Sequence, residues 1–396
     1  MKYNRLGNTG LFVSEICLGT MTFGGHNAFY RTFGDLGQKD VNAVVARSLE
    51  AGVNLIDTAD IYSDGLSERL LGQSLKDLGI KRSDVVIASK AYGRMGPGPN
   101  DIGASRGHIM DAVERSLERL QTDHIDLYQI HAQDMSTPVE EIMRALDDLV
   151  SRGMVRYVGC SNWQAWRTMQ AQGVADKRGA ARFETMQAYY SIAGRGIERE
   201  VVPMIESQKM GLLVWSALAG GILSGKFGPD GKGPDGARRT TFDFPPVDKE
   251  RVWPIVDAMR EIGKARDASP ARIAIAWVLS KPFVTSVIVG VKTLEQLDDN
   301  LAAANLFAER ALELQAWAFA IERVLPDLPV VHMEQDRAPV DDDGVVDVAG
   351  LQADLVGGHS FTGRSDTRHA AAHGESNDKH FHGHLHHLGL GRRSRF

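Results

Sequence analysis

Eight short apolar runs, separated by amphipathic stretches, recur along most of this chain. The runs begin near Ser14, Val53, Asp84, Ile125, Val155, Thr185, Gly211 and Ser286. Between them lie segments whose apolar residues are spaced for one buried helical face: Asp40–Ala51, Glu68–Leu78, Arg106–Leu120, Val139–Arg152 and Glu295–Ala304. Eight alternating strand and helix units predict an α/β fold, the closed parallel (β/α)8 or TIM barrel, preceded by a β-hairpin that turns through Asn8-Thr9-Gly10.

An open doubly wound sheet is the alternative architecture, and it normally has a glycine-rich turn after its first strand. The segment Leu18-Gly19-Thr20-Met21 has no such turn. A glycine-rich stretch, Gly96–Gly103, does follow the third strand, but Pro97 and Pro99 lack the N–H groups that a phosphate cradle needs. We therefore interpret this stretch as a shaped loop rather than a nucleotide site.

Charge and cysteine content exclude several classes of function. The net charge of −6 comes without a basic stripe, so we expect no nucleic-acid partner. Cys17 and Cys160 lie far apart in separate apolar runs, which favours reduced thiols and a cytoplasmic location. The chain starts without a signal-peptide pattern and contains no run of about 18 apolar residues, so we expect no membrane partner.

Two segments stand apart from the repeating pattern. The insertion Phe227–Val247 is either a lid or substrate wall, or merely a mobile loop. Residues 330–396 read as a disordered tail behind a barrel of residues 1–329, and residues 331–396 hold nine of the 13 histidines. The tail could be a natural extension, a frameshifted reading or a metal chaperone. Histidine tracts of this kind usually bind metal adventitiously, so we predict no metal site.

Polar side chains end three of the apolar runs. Asp57, Lys90 and His131 each close one of them, and Tyr62 lies five residues beyond Asp57. In a parallel barrel the C-terminal ends of the strands converge on one face, where such folds place their active sites. Each residue alone has an ordinary structural role as an alternative, but their joint occurrence at strand ends favours chemistry.

These four side chains predict a device that polarises and protonates a carbonyl group. A phenol has a pKa of ~10, and we expect the ammonium of Lys90 to lower the pKa of Tyr62 toward neutrality by stabilising its phenolate, which makes Tyr62 a useful acid. Asp57 would hold Lys90 charged in an apolar surrounding, and His131 would orient the carbonyl oxygen. No nucleophile elbow or His-Glu-x-x-His helix accompanies them, so we expect hydride from a nicotinamide cofactor.

At these residues the sequence resembles the aldo-keto reductase superfamily. The segment Asn54–Ser63 with Ser67-Glu68 resembles its first signature, and Leu149–Asn162 resembles its second. The resemblance covers roughly residues 1–305, and the opening Tyr3–Gly7 is similar to the branch near the potassium-channel β subunits. It implies a barrel that binds NADP(H) without a Rossmann domain.

The resemblance also implies roles for single residues. Asp57 and Lys90 become an ion pair, Tyr62 the general acid and His131 the carbonyl-orienting residue. The cofactor contacts that it implies are Ser161, Asn162, Gln187, Trp215, Ser216, Leu218, Gly220, Lys226, Gly290, Lys292, Thr293, Gln296 and Asn300. Some branches carry arginine at the position of Gln296, so NADPH is the first choice and NADH stays open.

The sequence therefore predicts an NADPH-dependent reductase that converts aldehydes or ketones to alcohols. The alternative is a cofactor-sensing regulatory barrel, similar to channel β subunits, with little catalysis. An aromatic mouth favours an apolar or aromatic carbonyl substrate, although sugars and methylglyoxal stay open. The residues expected at this mouth are Phe23, Phe29, Tyr30, Tyr92 and Trp163. The pattern does not indicate an oligomeric state.

Overall fold

A computed structural model describes residues 1–309, and side chains through residue 306. The strands are β1 (Tyr3–Arg5), β2 (Phe12–Ser14), β3 (Ile16–Gly19), β4 (Leu55–Asp57), β5 (Val86–Ala91), β6 (Ile125–Ile130), β7 (Val155–Ser161), β8 (Phe183–Tyr189), β9 (Gly211–Trp215) and β10 (Val284–Val289). Strands β3 to β10 close into an eight-stranded parallel barrel, with β10 pairing β3. All eight predicted strands and the (β/α)8 fold class are confirmed.

Helices surround the barrel and fill the connections between its strands. They are α1 (Ala28–Arg31), α2 (Gln38–Glu50), α3 (Leu66–Asp77), α4 (Arg106–Leu120), α5 (Val139–Ser151), α6 (Ala165–Arg178), α7 (Val201–Gln208), α8 (Lys249–Lys264), α9 (Pro270–Leu279), α10 (Leu294–Leu301) and α11 (Ala303–Glu309). Short 3-10 turns occupy Tyr62–Gly65, Arg82–Asp84, Gly196–Glu198, Ala219–Ser224 and Arg238–Thr240. The main apolar core lies between barrel and helices, as the one-faced helical patterns predict.

The predicted hairpin is present, and it closes the N-terminal end of the barrel. Strands β1 and β2 pair antiparallel, with Asn4 opposite Val13. Leu6, in the turn between them, is fully buried in an interior cluster with Leu55 and Val86, which begin β4 and β5. The hairpin therefore acts as an apolar floor, and the opposite end of the barrel is left for a site.

Side chains along each strand point alternately into and out of the barrel, and this alternation decides which residues face the interior at the opposite end. Leu55 and Ala88 belong to the interior cluster, so residues two positions further along each strand also face inward. Those residues are Asp57 and Lys90, and both are buried. Because Asp57 pairs in register with Ala88, the two charged side chains meet at the C-terminal end of neighbouring strands.

Other predictions have mixed outcomes. Cys17 and Cys160 are buried, unpaired thiols, as expected. Gly96–Gly103 folds on itself through Asp101, whose carboxylate accepts from the Gly98 N–H at 2.8 Å, so it is a shaped loop. Across residues 1–309, no helix has both the length and the apolar character needed to traverse a bilayer. The predicted boundary at residues 329/330 and the histidine-rich tail lie outside the described residues.

Candidate active site

The centre of the site is a buried ion pair at the barrel mouth. The ammonium of Lys90 is hydrogen-bonded to Oδ1 of Asp57, and it also donates to the carbonyl oxygen of Thr58 at 2.8 Å. Burial opposes the charge of Lys90, but the Asp57 carboxylate and the Tyr62 phenol outweigh it and raise the pKa of Lys90. Lys90 therefore stays cationic at neutral pH.

Tyr62 lies against this ammonium, on the turn that follows β4. Its hydroxyl is 3.4 Å from Nζ of Lys90, and Nζ is 5.0 Å from the centroid of its ring. The expectation that Lys90 lowers the pKa of Tyr62 overall is wrong: burial raises this pKa, and the charge of Lys90 offsets only part of the increase. Tyr62 is consequently a fully protonated phenol at neutral pH.

His131 completes the group of four side chains. Its ring lies edge-on to Tyr62, with centroids 5.8 Å apart and planes at 76°. Burial, together with the charge of Lys90, lowers the pKa of His131 to about 3. Its imidazole is therefore neutral, which suits hydrogen bonding to an oxygen atom rather than proton donation. All four residues picked out at the strand ends are thus brought together.

A second group of predicted residues joins the first around the mouth. Gln187 donates from Nε2 to Oδ2 of Asp57 at 3.0 Å, so its amide supports the ion pair. Asn162, with a left-handed φ of 59°, donates to the His131 carbonyl oxygen at 3.3 Å and to Oγ of Ser161 at 3.0 Å. The indole N–H of Trp215 donates to Oδ1 of Asn162 at 2.9 Å.

The loop after β9 has an unusual backbone. Ser216 has a φ of 57°, and its hydroxyl accepts from the Gly220 N–H at 2.9 Å, while the Leu218 carbonyl accepts from the Gly221 N–H at 2.9 Å. Gly220 has a φ of 69°, and a Cβ there would lie 2.5 Å from the carbonyl oxygen of Phe244. Only glycine fits this left-handed, closely packed position.

The predicted adenosine end of the site follows β10. Thr293 caps α10 by accepting from the Gln296 N–H, and the side chain of Gln296 accepts from the Lys292 N–H at 2.9 Å. Asn300 is buried on α10, and Gly290 lies close to the end of β3, where an added Cβ would be 3.7 Å from the Gly19 carbonyl oxygen. In this structure Gln296 therefore orders the loop between β10 and α10.

Positive charge concentrates between these two loops. Nζ of Lys292 is 3.3 Å from the Thr32 carbonyl oxygen and 3.4 Å from that of Gly236. Burial lowers the pKa of Lys226, and the charges of Lys292 and Arg238 lower it further. Burial and the neighbouring Arg239 lower the pKa of Arg238 to about 10. Cations that lower one another's pKa in this way form a site that favours an anion.

The residues present fit a dinucleotide that carries phosphate groups. Within the described part of the chain, Nε of Arg238 is buried and has no hydrogen-bond partner. Next to it lie the left-handed glycines Gly220 and Gly221, whose added Cβ atoms would approach Arg239 and Lys226. Backbone without side chains beside a cluster of cations is typical of phosphate binding.

Three residues of the insertion Phe227–Val247 belong to the site, and sequence reasoning gave them no role. Arg239 donates to the Ala219 carbonyl oxygen at 2.6 Å, and Arg238 donates to that of Phe244 at 2.6 Å. Phe244 stacks on Trp215, with centroids 5.8 Å apart and planes at 14°. The Arg-Arg pair, followed by two phenylalanines, was the available signal. The insertion therefore packs on the site as a wall.

The expected aromatic mouth is only partly present. Phe23 and Trp163 are buried, and the Trp163 indole donates to the Ala132 carbonyl oxygen at 3.1 Å. Both side chains pack into the main apolar core, where the ring of Trp163 lies edge-on to Phe183 at the start of β8. Tyr30 is also buried and donates to the Ile61 carbonyl oxygen at 2.5 Å. Phe29 and Tyr92 remain partly exposed.

Comparisons with known proteins agree with this architecture. The uncharacterized oxidoreductase YrpG of Bacillus subtilis (strain 168) is 37% identical over 320 residues, covering 79% of this chain and 94% of that protein. A probable voltage-gated potassium channel subunit beta of Arabidopsis thaliana is 34% identical over 312 residues, covering 77% and 92%. The versiconal hemiacetal acetate reductase of Aspergillus parasiticus is 35% identical over 332 residues, covering 77% and 93%. The model of the aldo/keto reductase family matches residues 15–316, and the chain belongs to that family.

Proposed function

We propose that this protein reduces aldehydes or ketones to alcohols with NADPH, with Tyr62 as the general acid. The observation that carries the proposal is the placement of the Lys90 ammonium. It is bonded to Asp57 and lies 3.4 Å from the Tyr62 hydroxyl, at the open end of the barrel. The relationship to oxidoreductases supports carbonyl reduction as the class of reaction.

The proton moves from the Tyr62 hydroxyl to the carbonyl oxygen of the substrate. Because the pKa of Tyr62 is raised, the phenol is protonated before each turnover. The phenolate left behind lies next to the Lys90 ammonium, whose charge stabilises it. Asp57 and the Thr58 carbonyl fix the position of that ammonium, and Gln187 fixes Asp57. The carbonyl carbon becomes electrophilic as its oxygen accepts the proton.

His131 orients the substrate in this proposal. A neutral imidazole beside the Tyr62 ring can donate one hydrogen bond to the carbonyl oxygen, so that the oxygen lies between the phenol and the imidazole. Because the pKa of His131 is about 3, it does not compete with Tyr62 as the acid. Donors that are ordered before the substrate arrives favour the developing alkoxide over the ground state.

NADP(H), when bound, supplies the hydride that this chain lacks. Asn162, Ser161 and Trp215 would hold the nicotinamide end, because they surround the mouth beside His131. Lys226, Arg238 and Lys292 would hold the phosphates, because their attraction to a bound anion offsets the repulsion between them. Three cations in addition to backbone N–H groups support NADPH over NADH, since the 2′-phosphate adds negative charge.

The test is the substitution Tyr62→Phe, which removes only the hydroxyl. We expect kcat with 4-nitrobenzaldehyde, followed by loss of NADPH absorbance, to fall by about 100-fold or more, because the proton donor is lost. NADPH affinity, measured by fluorescence titration, should change little. The matched control is Tyr3→Phe, which removes a hydroxyl bonded to the Gly52 carbonyl oxygen on the hairpin floor. Equal turnover of both variants would refute the proposal.

A second candidate function follows from the similarity to plant potassium-channel β subunits. In that reading the barrel senses the NADPH to NADP+ ratio for a partner protein. Such a protein would bind NADPH tightly, turn over a broad panel of aldehydes very slowly and co-purify with its partner. Turnover of any panel member at the ordinary enzyme range of about 1 per second or faster would favour the reductase.

We also propose a cytoplasmic location. The two thiols are unpaired and buried, with Cys17 inside the barrel and Cys160 in the outer core. Unpaired thiols are typical of reducing compartments. Cell fractionation of the native host with an antibody against the chain tests this location, and recovery in a periplasmic or secreted fraction would contradict it.

A further inference from the structure

The turn that carries Tyr62 is held in an unfavourable backbone conformation. Ser63, Asp64 and Gly65 follow Tyr62 with φ values of 50°, 54° and 85°, all in the left-handed region. Two of the three residues have a Cβ, which disfavours that region. A strained turn persists only when its surroundings determine it. The contacts around this turn are therefore contacts that decide where Tyr62 points.

One such contact comes from Arg119 on α4. A Cβ built on Gly65 would lie 2.6 Å from Cδ and 2.9 Å from Nε of Arg119, so the guanidinium stem packs directly on the backbone of the turn. Arg119 is only 7% exposed, and it donates to Oγ of Ser116 at 3.1 Å. Its position is therefore fixed from the helix side as well.

Glu68 connects this arginine to the strand that carries Lys90. Nε of Arg119 donates to Oε2 of Glu68 at 2.7 Å, and the hydroxyl of Ser89 donates to Oε1 of Glu68 at 2.5 Å. Glu68 is fully buried, and Ser89 precedes Lys90 in β5. One carboxylate thus bonds to the neighbour of Lys90 and, through Arg119, supports the turn after Tyr62.

We propose that Glu68 and Arg119 are positioning residues that set the distance between the Tyr62 hydroxyl and the Lys90 ammonium. The proposal rests on the function proposed above. Neither residue touches the reacting atoms, because both lie between the barrel and helices α3 and α4. Their action on turnover passes through the turn at Gly65 on one side and through Ser89 on the other.

A purely structural role is the alternative, and a matched ion pair separates the two. Arg82 and Asp126 form a comparable pair, in which Nη2 of Arg82 is 2.5 Å from Oδ2 of Asp126. Arg82 also donates to the Val85 and His124 carbonyl oxygens, so it supports the N-terminal ends of β5 and β6. Arg82→Lys therefore disturbs the same two strands at the end away from Tyr62.

The experiment compares Arg119→Lys with Arg82→Lys in the full chain. Both substitutions keep the charge and remove the planar guanidinium fork. We expect Arg119→Lys to lower kcat for 4-nitrobenzaldehyde by about ten-fold, with KM nearly unchanged, because small misplacements of a catalytic group are costly. The high-pH limb of kcat should move to higher pH, since a more distant Lys90 stabilises the phenolate less. Arg82→Lys should lower Tm and leave both kcat and the pH profile unchanged.

A double substitution makes the test specific for Tyr62. In the Tyr62→Phe background, Arg119→Lys should change the residual kcat less than two-fold, because no hydroxyl remains to be positioned. A wild-type kcat and pH profile for folded Arg119→Lys, or an undiminished ten-fold effect in the Tyr62→Phe background, would overturn the positioning role. If Arg119→Lys does not fold, Glu68→Gln takes its place, since it keeps an acceptor for Ser89 and loses the charge facing Arg119. Full turnover of Tyr62→Phe alone would instead overturn the proposed function.

Discussion

The two ends of this barrel are built from the same strands by opposite means. At the N-terminal end, Leu55 and Val86 pack on Leu6 of the hairpin, and burial of apolar surface holds the floor together. At the C-terminal end, Asp57 and Lys90 occupy the corresponding inward positions as a buried ion pair. Apolar packing tolerates small displacements of its members, whereas a buried ion pair requires its hydrogen bonds to be in place. Within a few residues, each strand therefore passes from side chains that stabilise the fold to side chains of the candidate site.

Left-handed residues show the same contrast. At the floor they end helices, as at Gln121 after α4 and Lys209 after α7, where this conformation satisfies the last carbonyl groups. At the mouth they lie in loops that carry the site, as at Ser63, Asn162 and Ser216. At the floor, the left-handed conformation ends helices. At the mouth, it positions side chains of the candidate site.

Lys90→Met gives the largest expected effect, and it removes the ion pair at the mouth without changing the hairpin floor. It leaves the Asp57 carboxylate buried without its cation, so we expect a loss of about 3–5 kcal/mol in the free energy of unfolding and a loss of turnover. Urea denaturation and NADPH consumption measure the two quantities. The double variant Asp57→Leu with Lys90→Met should regain part of the stability and none of the turnover. Restored turnover in the double variant would show that the pair has no part in the chemistry.

Leu6→Ala tests the floor. It removes a fully buried side chain from the interior cluster, so we expect a loss of about 3 kcal/mol in the free energy of unfolding from lost burial and the resulting cavity. The folded fraction should keep its kcat, because among residues 1–306 the hydrogen bonds of the mouth do not involve the hairpin turn. A decrease in kcat below half of the wild-type value, measured well below Tm, would mean that the two ends are coupled.

Lowering the pH should reduce the contribution of the mouth to the free energy of unfolding and leave that of the floor unchanged. The pKa of His131 is about 3 in the folded protein and ~6.5 when unfolded, so the unfolded chain binds a proton between these values and stability falls as the pH falls through that window. By pH 5 this amounts to at most about 2 kcal/mol. His131→Asn should remove this slope in urea denaturation at pH 7 and pH 5. The cost of Leu6→Ala should be the same at both pH values.

Gln121→Gly gives the smallest effect and sharpens the contrast in backbone strain. Gln121 has a φ of 56° at the end of α4, and glycine adopts this conformation without a Cβ penalty, so we expect a gain of about 0.5 kcal/mol and unchanged kinetics. At the mouth, Asn162→Gly relieves similar strain but removes the partner of Trp215. It should weaken NADPH binding, as measured by fluorescence titration. Unchanged binding would place Asn162 outside the cofactor site.

Most of the fold could be predicted from local patterns. The eight apolar runs all became strands, because a parallel strand buried on both faces must be apolar along its length. Asp57 and Lys90 interrupt that rule at strand ends, and the register of β4 and β5 brings them together. Helix bounds differed by a few residues, as at α3, which begins at Leu66 rather than Glu68 because Gly65 ends the turn before it.

The remaining features of the site depend on tertiary contacts that no local pattern contains. Arg238 and Phe244 lie in an irregular insertion, so their approach to the loop after β9 has no periodic signal. Arg119 lies on a helix and reads as an ordinary surface charge until Gly65 is placed over it. The pKa of Tyr62 is raised overall because loss of water around the phenol opposes its ionisation more than the charge of Lys90 favours it, and this balance has no signal in the local sequence.

The hairpin floor has a practical consequence for handling the molecule. Phe12 is 56% exposed on β2, and it lies at the sealed end, opposite Trp215. A tether or dye attached at this position would face away from the route by which small molecules reach Lys90. Immobilisation through the hairpin would therefore orient every molecule with its entrance toward the solution.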